Sequence, residues 1–340
     1  MFDKLHEECG IFGIAGSKDA ANMTYLGLYA LQHRGQEATG IVSSDGKNFY
    51  QEKGVGLVSD LFNKERLGNL KGTLAIGHNR YSTTGENHLK NVQPIMVNFA
   101  LGMLALAHNG NLTNAAFLRD ELEAYGAIFQ STSDSEVIIH LIAQSRQKDI
   151  MARLTEALHR VKGAYSLVIL TEQGLIAARD PYGLRPLSLG RTKDAWVLAS
   201  ETCAFDLIDA DYVRDVEPGE LILINQDELT SYKPFPKIDP AFCVFEYVYF
   251  SRPDSRVYDH NVYEIRKNLG RQLARETMVP ADIVIPVPDS GVPAALGYAE
   301  AGNLRYETGL IRNHYVGRTF IEPEQAIRHF GVKIKLNAVA

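Results

Sequence analysis

Cysteine is scarce. Cys9, Cys203 and Cys243 are the only three in 340 residues, too few and too widely spaced for a disulfide framework or a paired CxxC metal site. Long apolar runs are missing as well: "LGMLALA" and "AFCVFEYVYF" stop far short of the roughly 20 residues that span a bilayer, so no membrane partner is expected. There is no basic excess either. The 35 Lys and Arg against 41 Asp and Glu leave a formal charge of -6, which gives a nucleic acid no electrostatic footprint. Internal repeats and low-complexity tracts are absent from the sequence. The first eight residues, "MFDKLHEE", are mostly polar and lack the apolar stretch of a secretory signal, so a cytoplasmic location is expected. What is present is an ordinary globular composition, 45% hydrophobic and 22% charged, at a length that favours two domains with a core each.

Hydrophobic periodicity orders the chain. Strands are predicted at 9–16 ("CGIFGIAG"), 39–45 ("TGIVSSD"), 73–80 ("TLAIGHNR") and 102–110 ("GMLALAHNG"), with a helix over 20–36 ("AANMTYLGLYALQHRGQ") after the first. Helices follow at 112–126, 133–145 and near 150–161, and then strands at 164–172, 174–180, 187–191, 195–200 and 220–226. A strand block, a helix block and a second strand block predict two sheets sandwiched between helices. The proline-rich "YKPFPKIDPAF" at 232–242 reads as a linker, because proline is excluded from central strands and stiffens an extended crossing. Beyond it, helix 261–277, strand 281–288, a DSG turn, helix 292–302 and strand 308–313 predict the alternation of a parallel α/β sheet.

Four segments carry chemistry. On position alone Cys9 is a small buried hydrophobe. "GHNRYSTTG" puts Arg80 just past an apolar strand, where its guanidinium can grip a carboxylate bidentately or make a plain surface ion pair. In "HNGN", Asn109-Gly110 is ordinarily a hairpin signal, but a helical pattern follows, so the pair is expected in a turn beside a helix start, exposing a carboxamide and a backbone N–H suited to an oxyanion. "STSDSE" offers Ser133 and Glu136 as a capping box. Asp134 remains, to support the helix dipole or to bind an ammonium group. Together these supply what hydrolysis of a glutamine side chain needs, except a general base. If residues 1–8 are removed, the α-amine of Cys9, with an unperturbed pKa of about 8, is within reach of its own thiol. The octapeptide is therefore expected to be a propeptide.

The segments "CGIFGI", "LQHRGQEATGI", "GHNRYSTTG", "AHNGNLTN" and "TSDSE" resemble the glutaminase domain of class II, N-terminal-nucleophile amidotransferases. "HRGQEATGI", "FEYVYFSRPDS" and "NHYVGRTFI" narrow the resemblance to the glutamine phosphoribosylpyrophosphate amidotransferase (amidophosphoribosyltransferase) family, over essentially the whole chain. The resemblance implies an α+β fold: a four-layer αββα N-terminal-nucleophile hydrolase sandwich over 9–231, the 232–242 linker, and the N-terminal part of an α/β phosphoribosyltransferase domain over 243–340. It makes Cys9 the nucleophile and Asn109 and Gly110 the oxyanion site. Arg80 and Asp134 would hold the glutamine backbone groups, Thr83 would line the pocket, Tyr81 would sit on a closing loop and Arg34 would lie near the nucleophile; as a helix-end cation Arg34 has an equally ordinary structural reading. Asp289, Ser290 and Gly291 would form a pyrophosphate loop, while Arg312, Tyr315, Arg318 and Ile321 would belong to a flexible loop that closes over phosphoribosylpyrophosphate and completes an ammonia channel.

The family's paired-aspartate substrate signature is expected beyond "GVKIKLNAVA", so the residues given are expected to support glutamine hydrolysis alone. The implied cofactor is Mg, carried with phosphoribosylpyrophosphate. Some family members hold a four-cysteine iron–sulfur cluster; Cys243 occupies a family cysteine position, which strand packing explains equally well. The implied partners are glutamine, phosphoribosylpyrophosphate, purine nucleotides as inhibitors and further copies of the chain. Two other readings stand beside this one. A different class II amidotransferase is disfavoured by "VIPVPDSG" followed by "YVGRTF", and a non-catalytic truncated regulatory paralogue is disfavoured by the intact Cys9, Arg80, Asn109, Gly110 and Asp134.

Overall fold

The computed structural model describes residues 9–81, 89–314 and 334–339. The chain forms two compact units, Met1–Glu246 with Phe250–Arg252 and Arg256–Asp259, and Tyr247–Tyr249 with Pro253–Ser255 and His260–Ala340. The division falls beyond the 232–242 stretch, and the contacts of that stretch give the reason. The amide of Ala241 donates to the carbonyl of Tyr182 at 2.9 Å, and the Phe242 ring stacks on Tyr258 with centroids 4.3 Å apart, so the proline-rich segment is fastened to the first unit.

In the first unit the chain fills two sheets in turns. Strands β1 (Gly10–Ala15), β2 (Ala38–Ser44), β3 (Phe49–Val55) and β4 (Leu74–Arg80) begin one sheet, and β5 (Ile95–Phe99), β6 (Gly102–Leu112), β7 (Gly163–Thr171) and β8 (Gly174–Arg179) begin the other. The chain then returns to the first sheet with β9 (Ser188–Arg191), β10 (Trp196–Ala199) and β11 (Asp211–Asp215), and to the second with β12 (Leu221–Asn225) and β13 (Glu228–Tyr232). The orders are β11-β9-β10-β1-β4-β2-β3 and β13-β12-β8-β7-β6-β5.

Side-chain alternation assigns each face, since successive residues of a strand point to opposite sides. Phe12, Ile14, Ile41 and Ala75 pack with Leu28 of helix α1 (Ala20–Ala30) on the outside of the first sheet. Leu104, Leu106, Leu167 and Ile169 pack under helices α4 (Ala115–Ala124), α5 (Ser135–Gln144) and α6 (Ile150–Arg160) on the outside of the second. The residues between them in sequence, Ile11, Val42, Ile76, Ala105, Ala107 and Val168, fill the space between the sheets. The short helices α2 (Val58–Leu61), α3 (Lys64–Asn69) and α7 (Cys203–Asp206) complete the unit. The result is the four-layer αββα arrangement, and each fully buried Leu, Ile or Phe in it contributes about 1.5–3 kcal/mol relative to exposure.

Two expectations need correction. The helix predicted over 20–36 stops at Ala30, because the polar residues after it are used in a turn: the Gln32 side chain donates to Gly35 O and accepts from Val58 N, and Arg34 turns inward. Asn109 and Gly110 are not in a turn. They lie inside β6, which stays paired with β7 from Leu104 to Leu112, so pairing across the sheet overrides the local turn signal. Gly110 holds φ at +149°, and a Cβ there would collide with the Ala164 carbonyl, so only glycine fits this kinked point of the strand.

In the second unit, helices α8 (Val262–Glu276) and α9 (Val292–Gly302) cross at two glycines, where a Cβ on Gly270 or Gly297 would strike the backbone of Ala294 or Lys267. The strand predicted at 281–288 shrinks to Ile283–Val284, which pairs in parallel with Arg305–Tyr306. Leu310–Arg312 pairs instead with Leu336–Ala338, antiparallel.

Candidate functional site

The site lies where β1 starts and β4 ends. The two strands are antiparallel with Gly10 opposite Asn79, which sets Cys9 and Arg80 side by side. Gly10 faces the helix layer, where a Cβ would come within 3.1 Å of Leu31 Cβ, so Cys9 faces the opposite way, between the sheets. Its side chain is buried, with Sγ 3.5 Å from the carbonyl oxygen of Tyr81. Arg80 is buried on the same inter-sheet face as Ile76 and His78.

Across the gap, β6 presents Asn109 on the face already occupied by Ala105 and Ala107. Asn109 is wholly buried, and neither its carboxamide oxygen nor its nitrogen has a hydrogen-bond partner among the described residues. An unpaired buried amide costs about 1–3 kcal/mol, and a group held at that cost is equipped to receive a ligand. The two strands are tied at this level by His78, whose Nε2 is 3.1 Å from the carbonyl oxygen of His108.

Asp134 stands at the N-terminal end of α5, with its Oδ1 3.9 Å from His108 Nδ1. Its Oδ2 accepts from the amide of Leu112 at 2.9 Å and its Oδ1 accepts from the Ser135 hydroxyl at 3.3 Å. The capping box does not form. Ser133 Oγ accepts from the Ser135 amide, and Glu136 turns back to accept from the amides of Gln130 and Ser131 and the Ser131 hydroxyl. The preceding loop supplies more free donors than the helix start, and those bonds with His140 draw Glu136 down to about 2 although burial opposes it. Asp134 is thereby left to brace the end of β6 instead of the helix.

Arg34 is entirely buried, and its Nε donates to the carbonyl oxygen of Cys9 at 3.0 Å. Its other nitrogens meet two carboxylates, Glu201 at 2.6 Å and Glu246 at 2.9 Å twice. Sequence reasoning found Arg34 and missed both partners. The signal was a lone acid inside an apolar run, "CVFEYVYF" for Glu246 and "VLASE" for Glu201. Burial by itself would raise both carboxyls, and the charges beside them, Arg34 for Glu246 and His33 with Arg34 for Glu201, more than offset it, so both are held below the usual carboxylate range.

In the second unit, Asp289 pairs with Arg312, which joins the expected pyrophosphate loop to the start of the expected flexible loop. Ser290 and Gly291 lead into α9, with the Gly291 amide donating to Val287 O at 3.1 Å. Thr83, Tyr315, Arg318 and Ile321 lie outside the described residues. Cys203 Sγ rests 3.8 Å from Glu201 Oε2, and Cys243 Sγ accepts from Arg185 at 3.5 Å. Among the described residues no three His, Cys, Asp or Glu side chains gather as a metal-holding group, and no helix is long and apolar enough to cross a membrane.

A family described as a glutamine amidotransferase domain matches residues 78–206. The chain is 54% identical to the amidophosphoribosyltransferase of Rhizobium etli over 99% of its own length and 69% of that protein, and 52% identical to that of Bacillus subtilis over 98% and 71%. Chloroplastic amidophosphoribosyltransferase 1 of Arabidopsis thaliana is 52% identical, with 60% of it covered. Among solved structures, the glutamine phosphoribosylpyrophosphate amidotransferase of B. subtilis, complexed with ADP and GMP, superimposes with a TM-score of 0.90 at 51% identity, over 97% of this chain and 72% of that one.

Proposed function

The chain belongs to the amidophosphoribosyltransferase family, and from that premise we propose that its first unit hydrolyses glutamine at Cys9 while the second takes part in transfer of the released ammonia to phosphoribosylpyrophosphate, in purine synthesis. The observation that carries the assignment of residues is the buried, unpaired Asn109 carboxamide between the sheets, facing the strand ends that bear Cys9 and Arg80.

The α-amine of Cys9, freed by loss of residues 1–8, takes the thiol proton, and the thiolate attacks the carboxamide carbon of glutamine. Its unperturbed pKa of about 8 lets it hold that proton and return it near neutral pH. Charge that develops on the carbonyl oxygen is met by Asn109 Nδ2–H and the backbone N–H of Gly110, which need no reorganisation because the amide is already desolvated. Collapse expels ammonia with the proton from the α-ammonium, and water then hydrolyses the thioester to glutamate. Arg80 binds the glutamine α-carboxylate and Asp134 its α-ammonium, Thr83 lines the pocket, and Tyr81 lies on the loop that closes over it.

In the second unit, Asp289, Ser290 and Gly291 cradle the pyrophosphate, and Arg312, Tyr315, Arg318 and Ile321 form the closing loop. Ammonia displaces pyrophosphate to give 5-phosphoribosylamine. Mg would enter as part of the pyrophosphate-bearing substrate and would neutralise its charge. If a four-thiolate cluster is carried, Cys243, half-buried beside Arg185, is the position here that would take part in holding it. Purine nucleotides as inhibitors, assembly into a homo-oligomer and a cytoplasmic location follow the family.

Two measurements test the reading. Intact mass should match a chain starting at Cys9, and an unprocessed amino terminus in active protein would remove the base from the mechanism. Asn109→Ala should lower kcat for glutamate release about 10²- to 10³-fold with little change in KM, the loss expected for one oxyanion donor. A rise in KM at constant kcat would assign Asn109 to substrate binding instead.

A further inference from the structure

Arg34 is the point through which the nucleophile is held, and its own position is set by carboxylates that the reaction does not use. The guanidinium is completely buried. One nitrogen, Nε, grips the Cys9 carbonyl at 3.0 Å. Nη1 donates to Glu201 Oε1 at 2.6 Å and to Glu246 Oε2 at 2.9 Å, and Nη2 donates to Glu246 Oε1 at 2.9 Å. Glu246 thus makes the bidentate pair whose planar geometry fixes a guanidinium in orientation as well as position. Neither carboxylate side chain is exposed.

Glu246 is itself held on several sides. Its Oε2 accepts from the Ser251 hydroxyl at 2.8 Å, the Ser251 amide donates to its backbone carbonyl at 3.0 Å, and Arg185 Nη1 lies 3.5 Å from Oε1. Glu201 is fixed by His33 Nε2 at 2.8 Å, by the Arg252 amide at 2.9 Å and by the Cys203 thiol at 3.8 Å. Arg34 and Arg185 therefore face two carboxylates that have no exposed side-chain surface, and in a low-dielectric setting removing one anion leaves its partner uncompensated. The geometry points to Glu246, with Glu201, as a positioning residue for the thiol of Cys9, acting through Arg34.

This inference rests on Cys9 being the nucleophile. The test uses the full, processed chain in four forms: parent, Glu246→Gln, Glu246→Asp and Ser251→Ala. Competent thiols are counted by mass after alkylation with a diazoketone analogue of glutamine, and glutamate release is expressed per labelled thiol, which removes any loss caused only by misfolded protein. Glu246→Gln keeps the volume but removes the charge and one acceptor, and should lower kcat per labelled thiol about tenfold with KM within twofold. Glu246→Asp, which keeps the charge, should recover part of that loss, and Ser251→Ala, which removes a single bond to Glu246, should cost about threefold. If Glu246→Gln does not fold, the Ser251→Ala ratio decides by itself. Per-thiol kcat equal to that of the parent in both Glu246→Gln and Ser251→Ala overturns the inference alone. A parent that neither labels at Cys9 nor releases glutamate overturns the nucleophile assignment and the inference with it.

Discussion

His78 is fully buried between the sheets, and its Nε2 faces a backbone carbonyl, that of His108. A carbonyl only accepts, so Nε2 carries the proton and Nδ1 keeps its lone pair, with no partner for it among the described residues. Burial pushes this imidazole down to about 3 from 6.5, against the pull of its bond to the His108 carbonyl. In the unfolded chain the same ring takes up a proton below pH about 6.5. Between those limits the unfolded state binds one more proton than the folded one, so stability is fully present above pH 6.5 and falls as pH drops, by about 1.4 kcal/mol per pH unit from this residue. Denaturant titrations at several pH values between 6.5 and 4 should therefore show a slope shallower by that amount in His78→Gln, whose Nε2 can still donate to the His108 carbonyl. Equal slopes would mean that the folded protein protonates His78 in place.

At the level of elements, the close approach of α1 to β1 depends on Gly27, where a Cβ would strike the Phe12 ring. Gly27→Ala should destabilise the protein by about 1–3 kcal/mol, the usual cost of overpacking. Gly68, in α3, has nothing within 4 Å of such a Cβ, and Gly68→Ala should stabilise by about 0.5–1 kcal/mol through helix propensity and unfolded-state entropy. Thermal melts of the two variants should move in opposite directions; a shared direction would contradict the packing described for α1. The strands of the first unit that sequence patterning missed share one position in the fold. β3 and β11 are the two edges of the first sheet, and β5 and β13 are the two edges of the second. Central strands are buried on both faces and stand out as apolar runs, whereas "FYQEKGV", "DYVRD" and "ELTSY" are half-exposed and charged or polar, as edges that resist further pairing commonly are.

For the whole molecule, the two units differ in how much ladder they contain. The first has sheets of seven and six strands with an apolar layer between them, while the described strands assigned wholly to the second are two or three residues long. Amides whose release requires breaking a large buried core exchange only on global opening, and those in short ladders exchange by local opening. Hydrogen exchange followed by mass spectrometry should find the slowest peptides in β1, β4, β6 and β7 and markedly faster exchange in 283–284, 305–306 and 310–312. Protection of those short pairs equal to that of β6 would show that the second unit opens only with the first.

The central strands, the family and the residues from which the site is proposed were legible in the order of amino acids, because a thiol before a glycine-rich apolar strand, an arginine at a strand end and an Asn-Gly pair are local patterns that survive without coordinates. Tertiary structure decided the rest. Whether Asn109-Gly110 is a turn or a strand depended on β7, which lies more than fifty residues further along the chain and pairs with it through Leu112. The fate of Glu136 depended on the amides of a loop outside the helix it was expected to cap. The two carboxylates that hold Arg34 come from positions 167 and 212 residues away, and no spacing rule reaches that far. Local chemistry fixes which groups are available, and burial by distant parts of the chain decides which of them meet and at what charge.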